Sequence, residues 1–214
     1  MPGRSAPCFT GILAALLAVP LTLPAVADPL SPVRTAELSA RLYAAGVALA
    51  DPVLILAAAK LRKTLDPVPT DRTADGASAV SGTPLDWHDM LAQAAPLAAG
   101  DAGLEGVIAD VRAETGKGAS SGPVYSIGTL RSGAVDIYPV VEFLGGDYAE
   151  VYVEPTGDTD LNLTVIDGMG RLICADTEVS PIAYCGWRPL DTGSFVLRVV
   201  NHGPLSTTYA LMTN

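Results

Sequence analysis

The chain has 214 residues, 49% of them hydrophobic and 17% charged, with a formal net charge of -10. This is a globular rather than a disordered composition, long enough for one large domain or two small ones. The excess of 23 acidic over 13 basic residues argues against nucleic acid or anionic lipid as a partner, because its field repels both.

Residues 1–27 read as a secretory leader. Arg4 precedes an apolar run from Ile12 to Leu23, and Ala25-Val26-Ala27 places small residues where a signal peptidase needs them, ahead of Asp28. Pro20 and Pro24 interrupt that run, which falls short of the ~20 apolar residues of a spanning helix, so no integral membrane segment is expected after cleavage. Cys8 precedes the run and is wrongly placed for a lipid anchor. Cleavage after Ala27 removes Arg4 and Cys8, making the mature chain one unit more negative and leaving Cys174 and Cys185. An even pair in an exported chain predicts a disulfide, and the expected location is periplasmic or secreted.

From Ala36 to about Glu114 the period is helical. Leu38, Leu42, Ala45 and Leu49 form one stripe, and Asp51-Pro52 reads as an N-cap with proline at the first helical position. The run Val53–Ala59 is apolar all round, which predicts a buried helix, and Lys60, Arg62 and Lys63 suit the negative pole of its dipole. Residues 66–82, with Pro67, Pro69, Gly76 and Gly82, read as a flexible loop. Thr83-Pro84-Leu85-Asp86 then caps a third helix carrying Trp87, Met90, Leu91 and Ala94, with a kink or end at Pro96. Asp101 caps a fourth, with Leu104, Val107, Ile108 and Val111. These predict a small helical bundle over residues 28–114, followed by a linker at 115–122.

Beyond the linker the period falls to two. Eight short apolar runs, each bounded by Gly, Asp, Asn or Pro, predict an antiparallel β-sandwich over residues 123–214. Asp167-Gly168-Met169-Gly170 predicts a tight hairpin turn. The fold class expected is therefore α+β as separate domains.

This half also carries a linked set of motifs. They are Gly157-Asp158-Thr159-Asp160-Leu161, the turn Asp167 to Gly170, Cys185-Gly186-Trp187-Arg188-Pro189 and Thr192-Gly193-Ser194-Phe195. In that order they resemble the bacterial pre-peptidase C-terminal domain, a jelly-roll-like sandwich found beside secreted proteases. The resemblance spans about Ser121 to Asn214, and the helical half resembles no family. It implies a non-catalytic accessory role in export or in binding a matrix or carbohydrate. It also implies calcium for some members, here on Asp158, Asp160 and Asp176. The competing reading is that these aspartates cap turns at strand ends. No other cofactor is expected. Tyr184 and Trp187 flank Cys185, and two readings stand for them: stacking on a ligand, or packing the core and shielding the bridge.

Catalytic patterns are weak. His88 and His202 are the only histidines and lie in separate segments. Gly118-Ala119-Ser120-Ser121-Gly122 matches G-x-S-x-G, but a helix precedes it and a strand follows, the reverse of a nucleophile elbow. No H-E-x-x-H or C-x-x-C occurs, so no catalytic residue is assigned. The sequence thus reads as an exported, non-enzymatic accessory protein whose sandwich binds an envelope protein or polysaccharide. An envelope chaperone or assembly subunit acting through the helices is the alternative, motivated by the Val53–Ala59 run, and a hydrolase ranks third.

Overall fold

The computed structural model describes Gly3, residues 30–114 and residues 120–214. The predicted leader, Gly3 apart, and residues 115–119 of the predicted linker lie outside them. Among the described residues no helix is long and apolar enough to cross a membrane.

Helix α1 (Pro32–Leu49) begins at Ser31, whose Oγ accepts the Arg34 amide at 3.0 Å, and carries Pro32 in its first turn. Its buried face is not the predicted stripe. Leu38 and Leu42 are half-buried, Ala45 is exposed and Leu49 is 70% exposed, whereas Val33, Ala36, Ser39, Ala40 and Gly46 are buried. The reason is that α1 meets two surfaces at once, α2 (Pro52–Lys63) and a sheet, and small residues allow both to come close. A Cβ on Gly46 would lie 2.7 Å from Ile55 Cγ1.

Asp51 caps α2 as expected, accepting the Val53 amide at 2.8 Å. Ile55, Leu56, Ala58 and Ala59 are buried beneath α1 and α3 (Trp87–Leu97), so most of the apolar run is already covered. The cap of α3 is Asp86 rather than Thr83: its Oδ1 accepts the His88 amide at 2.6 Å. Pro96 sits in the final turn, where the helix ends. Helix α4 (Ala102–Ala113) starts at Asp101 as predicted.

Residues 66–82 are not simply a loop. Leu65–Pro69 form β1, which runs parallel to β2 (Ser120–Leu130) at the edge of a sheet. An edge strand tolerates Pro67 and Pro69 because one side of its backbone has no partner. Gly122 of β2 is required here, since a side chain would overlap the Asp66 carbonyl.

The remaining strands are β3 (Val135–Phe143), β4 (Ala149–Pro155), β5 (Leu161–Asp167), β6 (Leu172–Asp176), β7 (Ala183–Trp187), β8 (Gly193–Asn201) and β9 (Thr207–Thr213). They form a five-stranded sheet, β1-β2-β9-β4-β7, and a four-stranded sheet, β3-β8-β5-β6. Every pair except β1–β2 is antiparallel. The fold is α+β with a β-sandwich. Strict alternation in β5 turns Leu161, Leu163 and Val165 inward, to pack with Val151, Val153, Leu197, Val199, Tyr209 and Leu211.

The other face of the five-stranded sheet is also apolar. Tyr125, Ile127, Tyr152, Ala210 and Met212 bury against Val33, Ala36 and Ala40 of α1. That explains why β4, read from the sequence as an ordinary strand, is buried on both faces. After β1 the chain straps the open side of the sandwich. The Thr70 amide donates to the Tyr125 carbonyl at 2.8 Å, the Asp75 amide to the Ile137 carbonyl at 2.7 Å, and Ala74 is buried between the sheets.

Candidate functional site

Cys174 and Cys185 form the predicted disulfide, with Cα atoms 5.9 Å apart, and tie the edge strand β6 of one sheet to the edge strand β7 of the other. Beside it, Trp187 packs edge-on against Phe143 and Phe195, with ring centroids 4.8 Å and 5.2 Å away. Tyr184 is half-buried, its hydroxyl donates to Glu150 Oε1 at 2.7 Å, and the Arg34 guanidinium covers its ring at 4.7 Å. Burial, then the Glu150 acceptor, push this phenol well above its ordinary value. Both aromatics therefore have packing partners within the chain.

The three aspartates considered for calcium are not gathered. Asp176 Oδ2 accepts the Tyr184 amide at 2.9 Å and its Oδ1 the Glu178 amide at 3.3 Å, while Asp160 Oδ1 accepts the Ser180 amide at 3.3 Å. Asp158 is exposed. Among the described residues no group of three His, Cys, Asp or Glu side chains is placed to hold a metal ion. His88 is exposed and its Nδ1 lies 2.7 Å from Asp86 Oδ1, at the start of α3. His202 lies in the turn after β8, with its amide on the Asp160 carbonyl at 2.8 Å. Of the G-x-S-x-G match, Gly118 and Ala119 lie outside the described residues, and Ser120 opens a strand.

Two polar clusters escaped the sequence reading. Arg62, read from the sequence as a partner of the helix dipole, is 4% exposed and makes a bidentate pair with Glu154 of β4, at 3.1 Å and 2.8 Å. The same guanidinium donates to the Ala36 carbonyl at 3.0 Å and lies 3.3 Å from Ser39 Oγ. Glu154 also accepts the Tyr152 hydroxyl at 2.7 Å and the Leu85 amide at 2.9 Å. Burial disfavours the guanidinium charge, but Glu154 and Tyr152 outweigh it and hold Arg62 above its ordinary value. The network pins the helices to the sandwich and is satisfied on every side, as a buried ion pair must be.

The second cluster lies where the strap crosses β2. A cleft of about 350 Å3 opens there, with Thr70, Arg72, Thr73, Ser81, Tyr125 and Ser126 on its walls. Arg72 is half-buried, and one terminal nitrogen lies 3.2 Å from Thr213 Oγ1. Its other terminal nitrogen is buried without a hydrogen-bond partner, and the Ser126 hydroxyl, in a residue only 3% exposed, is likewise unpartnered. The Ser126 hydroxyl faces the Tyr138 phenol oxygen as a donor, Tyr138 is paired with Tyr209 at 2.8 Å, and Tyr209 donates in turn to Asp136 at 2.6 Å. Among the described residues Arg72 makes no ion pair. Burial lowers its guanidinium from its ordinary value, though an arginine in this range stays a cation. Arg72 and Ser126 both line this cleft beside Asp71, while the two unpartnered atoms themselves are closed to solvent.

No protein-family model and no curated protein matches the chain. Among solved structures, the pre-peptidase C-terminal domain of a collagenase from Bacillus anthracis is similar over 43% of this chain and 89% of that one, at 15% identity and a TM-score of 0.35. A mitogen derived from Yersinia pseudotuberculosis is similar over 43% of this chain and 84% of that one, at 11% identity and a TM-score of 0.34. PliG, a periplasmic inhibitor of g-type lysozyme from Aeromonas hydrophila, is similar over the same shares of the two chains, at 12% identity and a TM-score of 0.33.

Proposed function

We propose that this chain is an exported, non-enzymatic binding protein of the bacterial envelope or secretome. In this reading the sandwich recognises the ligand, and the helices serve as its fixed cover rather than as a chaperone surface. The observation that carries the reading is the strap cleft, a concave site with Thr70, Asp71, Arg72, Thr73 and Ser81 on its walls, whose arginine makes no ion pair among the described residues and has one buried nitrogen without a partner. Buried polar atoms without partners are rare in folded proteins, and each calls for a physical explanation. Export is supported by the leader-like residues 1–27 and by the Cys174–Cys185 bridge, which persists in oxidising compartments. Asp160 and Asp176 are read as turn and strand-end acceptors, because their oxygens accept backbone amides.

Retention of the mature chain on envelope fractions, polysaccharides and peptide matrices tests the proposal. Saturable retention on one of these classes is expected, and uniform failure to bind any of them refutes it.

A further inference from the structure

We infer that the outer face of the β3-β8-β5-β6 sheet docks an amphipathic helix of a partner protein, one with a carboxylate in its apolar face to meet Arg198. This face is separate from the strap cleft, and binding there is independent of the role proposed above. Strand alternation builds it. Leu163 and Val165 of β5 and Leu197 and Val199 of β8 point into the core, so their neighbours along each strand point out. Register aligns the outward residues in rows. Val196, Ile166 and Leu172 form one row, Ile137, Arg198 and Thr164 the next, and Val135 with Val200 a third. The solvated face of an antiparallel sheet is ordinarily polar. Here the side chains are aliphatic except Arg198 and Thr164, and Leu172 is 64% exposed, Val135 40% and Ile137 39%. An exposed apolar patch of this kind marks an interaction surface.

The molecule already covers one such face, with a helix. On the five-stranded sheet, Val33, Ala36 and Ala40 of α1 lie over Tyr125, Ile127, Tyr152 and Met212. A carboxylate of that sheet, Glu154, is met by Arg62 from the helical layer. Helices α1 and α2 pack on β1, β2 and β4, and the β3-β8-β5-β6 face is left open. The open face repeats the pattern with the sign reversed. Arg198, in its middle row, is exposed and makes no ion pair among the described residues. An arginine stays a cation, so a cover without a carboxylate would bury a lone charge, which is strongly unfavourable. A carboxylate can meet the guanidinium fork with two parallel hydrogen bonds, as Glu154 does for Arg62.

Size and charge select a helix over a second copy of the chain. Four strands and three rows of residues make a face of about 400 Å2. That is half of the ~800 Å2 that each partner gives to a standard interface. A single helix, about 10–12 Å across with its side chains, fits within the width of the sheet. Two copies would bring together chains of net charge -10 each, which repel. Nor would the apolar rows of a second copy supply a carboxylate, because Glu142 pairs with Ser194 beyond them. The aliphatic rows provide the area, and Arg198 selects the partner by charge.

The test is fluorescence anisotropy of the mature chain, residues 28–214, with labelled amphipathic peptides of about 18 residues, the length of α1. Each has an alanine–leucine face and a glutamine face, and a staple on the glutamine face holds it helical, since short free helices are marginal. One peptide carries glutamate at the centre of its apolar face, and two comparison peptides carry glutamine or lysine there. Saturable binding of the glutamate peptide is expected at micromolar concentration, with the other two weaker by about tenfold or more. Arg198→Glu should reverse the order, so that the lysine peptide binds best. Ile137→Thr/Leu172→Thr removes apolar area but keeps strand propensity, and should weaken the glutamate peptide about tenfold at an unchanged thermal midpoint. Equal binding of the three peptides would overturn the inference, as would an order that Arg198→Glu leaves unchanged. Absence of saturation by any peptide at millimolar concentration would also overturn it. Sedimentation equilibrium of the mature chain supplies the remaining outcome. A monomer is expected, and self-association abolished by Ile137→Thr/Leu172→Thr would assign the face to a second copy and refute the helical partner.

Discussion

Removing Arg62 should do more harm than removing Arg62 and Glu154 together. Glu154 is 3% exposed and accepts four hydrogen bonds, two of them from Arg62. In Arg62→Met the carboxylate keeps the Tyr152 hydroxyl and the Leu85 amide but loses its counter-charge in a dry interface. Stranding one member of a buried pair costs about 3–5 kcal/mol. For a chain of this size that is about 6–20 °C in Tm, a large part of a total stability of about 5–15 kcal/mol. In the double variant Arg62→Met/Glu154→Met no charge is stranded, and two apolar chains fill the gap between α1, α2 and β4. Its stability should lie above that of Arg62→Met, with a coupling energy of about 2–3 kcal/mol. Urea denaturation of the parent, both single variants and the double variant, followed by far-UV circular dichroism and tryptophan fluorescence, gives the four values of the cycle. Trp87 lies in the helices and Trp187 in the sandwich, so noncoincident transitions would also reveal separate unfolding of the two halves. Additive single effects, or a single variant losing less than about 1 kcal/mol, would refute the role of the pair as the pin between helices and sheet.

Other variants probe the remaining contacts. Replacing Cys174 and Cys185 together by alanine should cost about 2–3 kcal/mol in the chain-entropy model, read as a lower thermal midpoint that no longer responds to reductant. Gly46→Ala should destabilise by about 1–3 kcal/mol in denaturant titration, because the added methyl meets Ile55 Cγ1 at 2.7 Å in the α1–α2 contact. Asp167 is held below its ordinary value of 3.8, first by the Arg171 amide and then by the Arg171 side chain and the Met169 amide. A depressed carboxylate stabilises the fold above its unfolded value, and that contribution disappears as pH falls through the folded value. Asp167→Asn should therefore weaken the chain at neutral pH and show a smaller further loss below about pH 4, by thermal melts across that range.

Periodicity revealed the eight strands of the sandwich and the existence of all four helices, because alternation in β5 and the Asp51 and Asp101 caps are local signals. The disulfide followed from an even cysteine count. What escaped were features set by contacts distant in sequence. Proline is a sound signal against a central strand, but β1 occupies an edge, where Pro67 and Pro69 do no damage. Leucine spacing misled in α1, because a helix held between two surfaces buries its small residues and leaves Leu49 outside. Arg62 looked like a dipole partner since nothing local distinguishes it from Lys60 or Lys63. Its counter-charge lies 92 residues away. The strap cleft is of the same kind: Arg72 sits among turn-forming residues, and only the fold brings it to Ser126 and Thr213. Buried glutamate in an otherwise apolar strand, as in Ala149-Glu150-Val151-Tyr152-Val153-Glu154, was the available hint, since carboxylates are seldom buried without a cation.

The position of β1 also bears on how this protein can be divided or inherited. It lies between α2 and α3 along the chain but beside β2 in the sheet, so the helices and the sandwich are interleaved rather than strung in series. A cut near residue 115 would remove β1, α1 and Arg62 in one piece. The fragment left behind would present an unprotected β2 edge, an apolar sheet face of Tyr125, Ile127, Tyr152 and Met212, and a carboxylate without its arginine. Such a fragment would self-associate rather than travel as a free module. The smallest unit that gene fusion could graft intact onto another protein is the whole of residues 30–214.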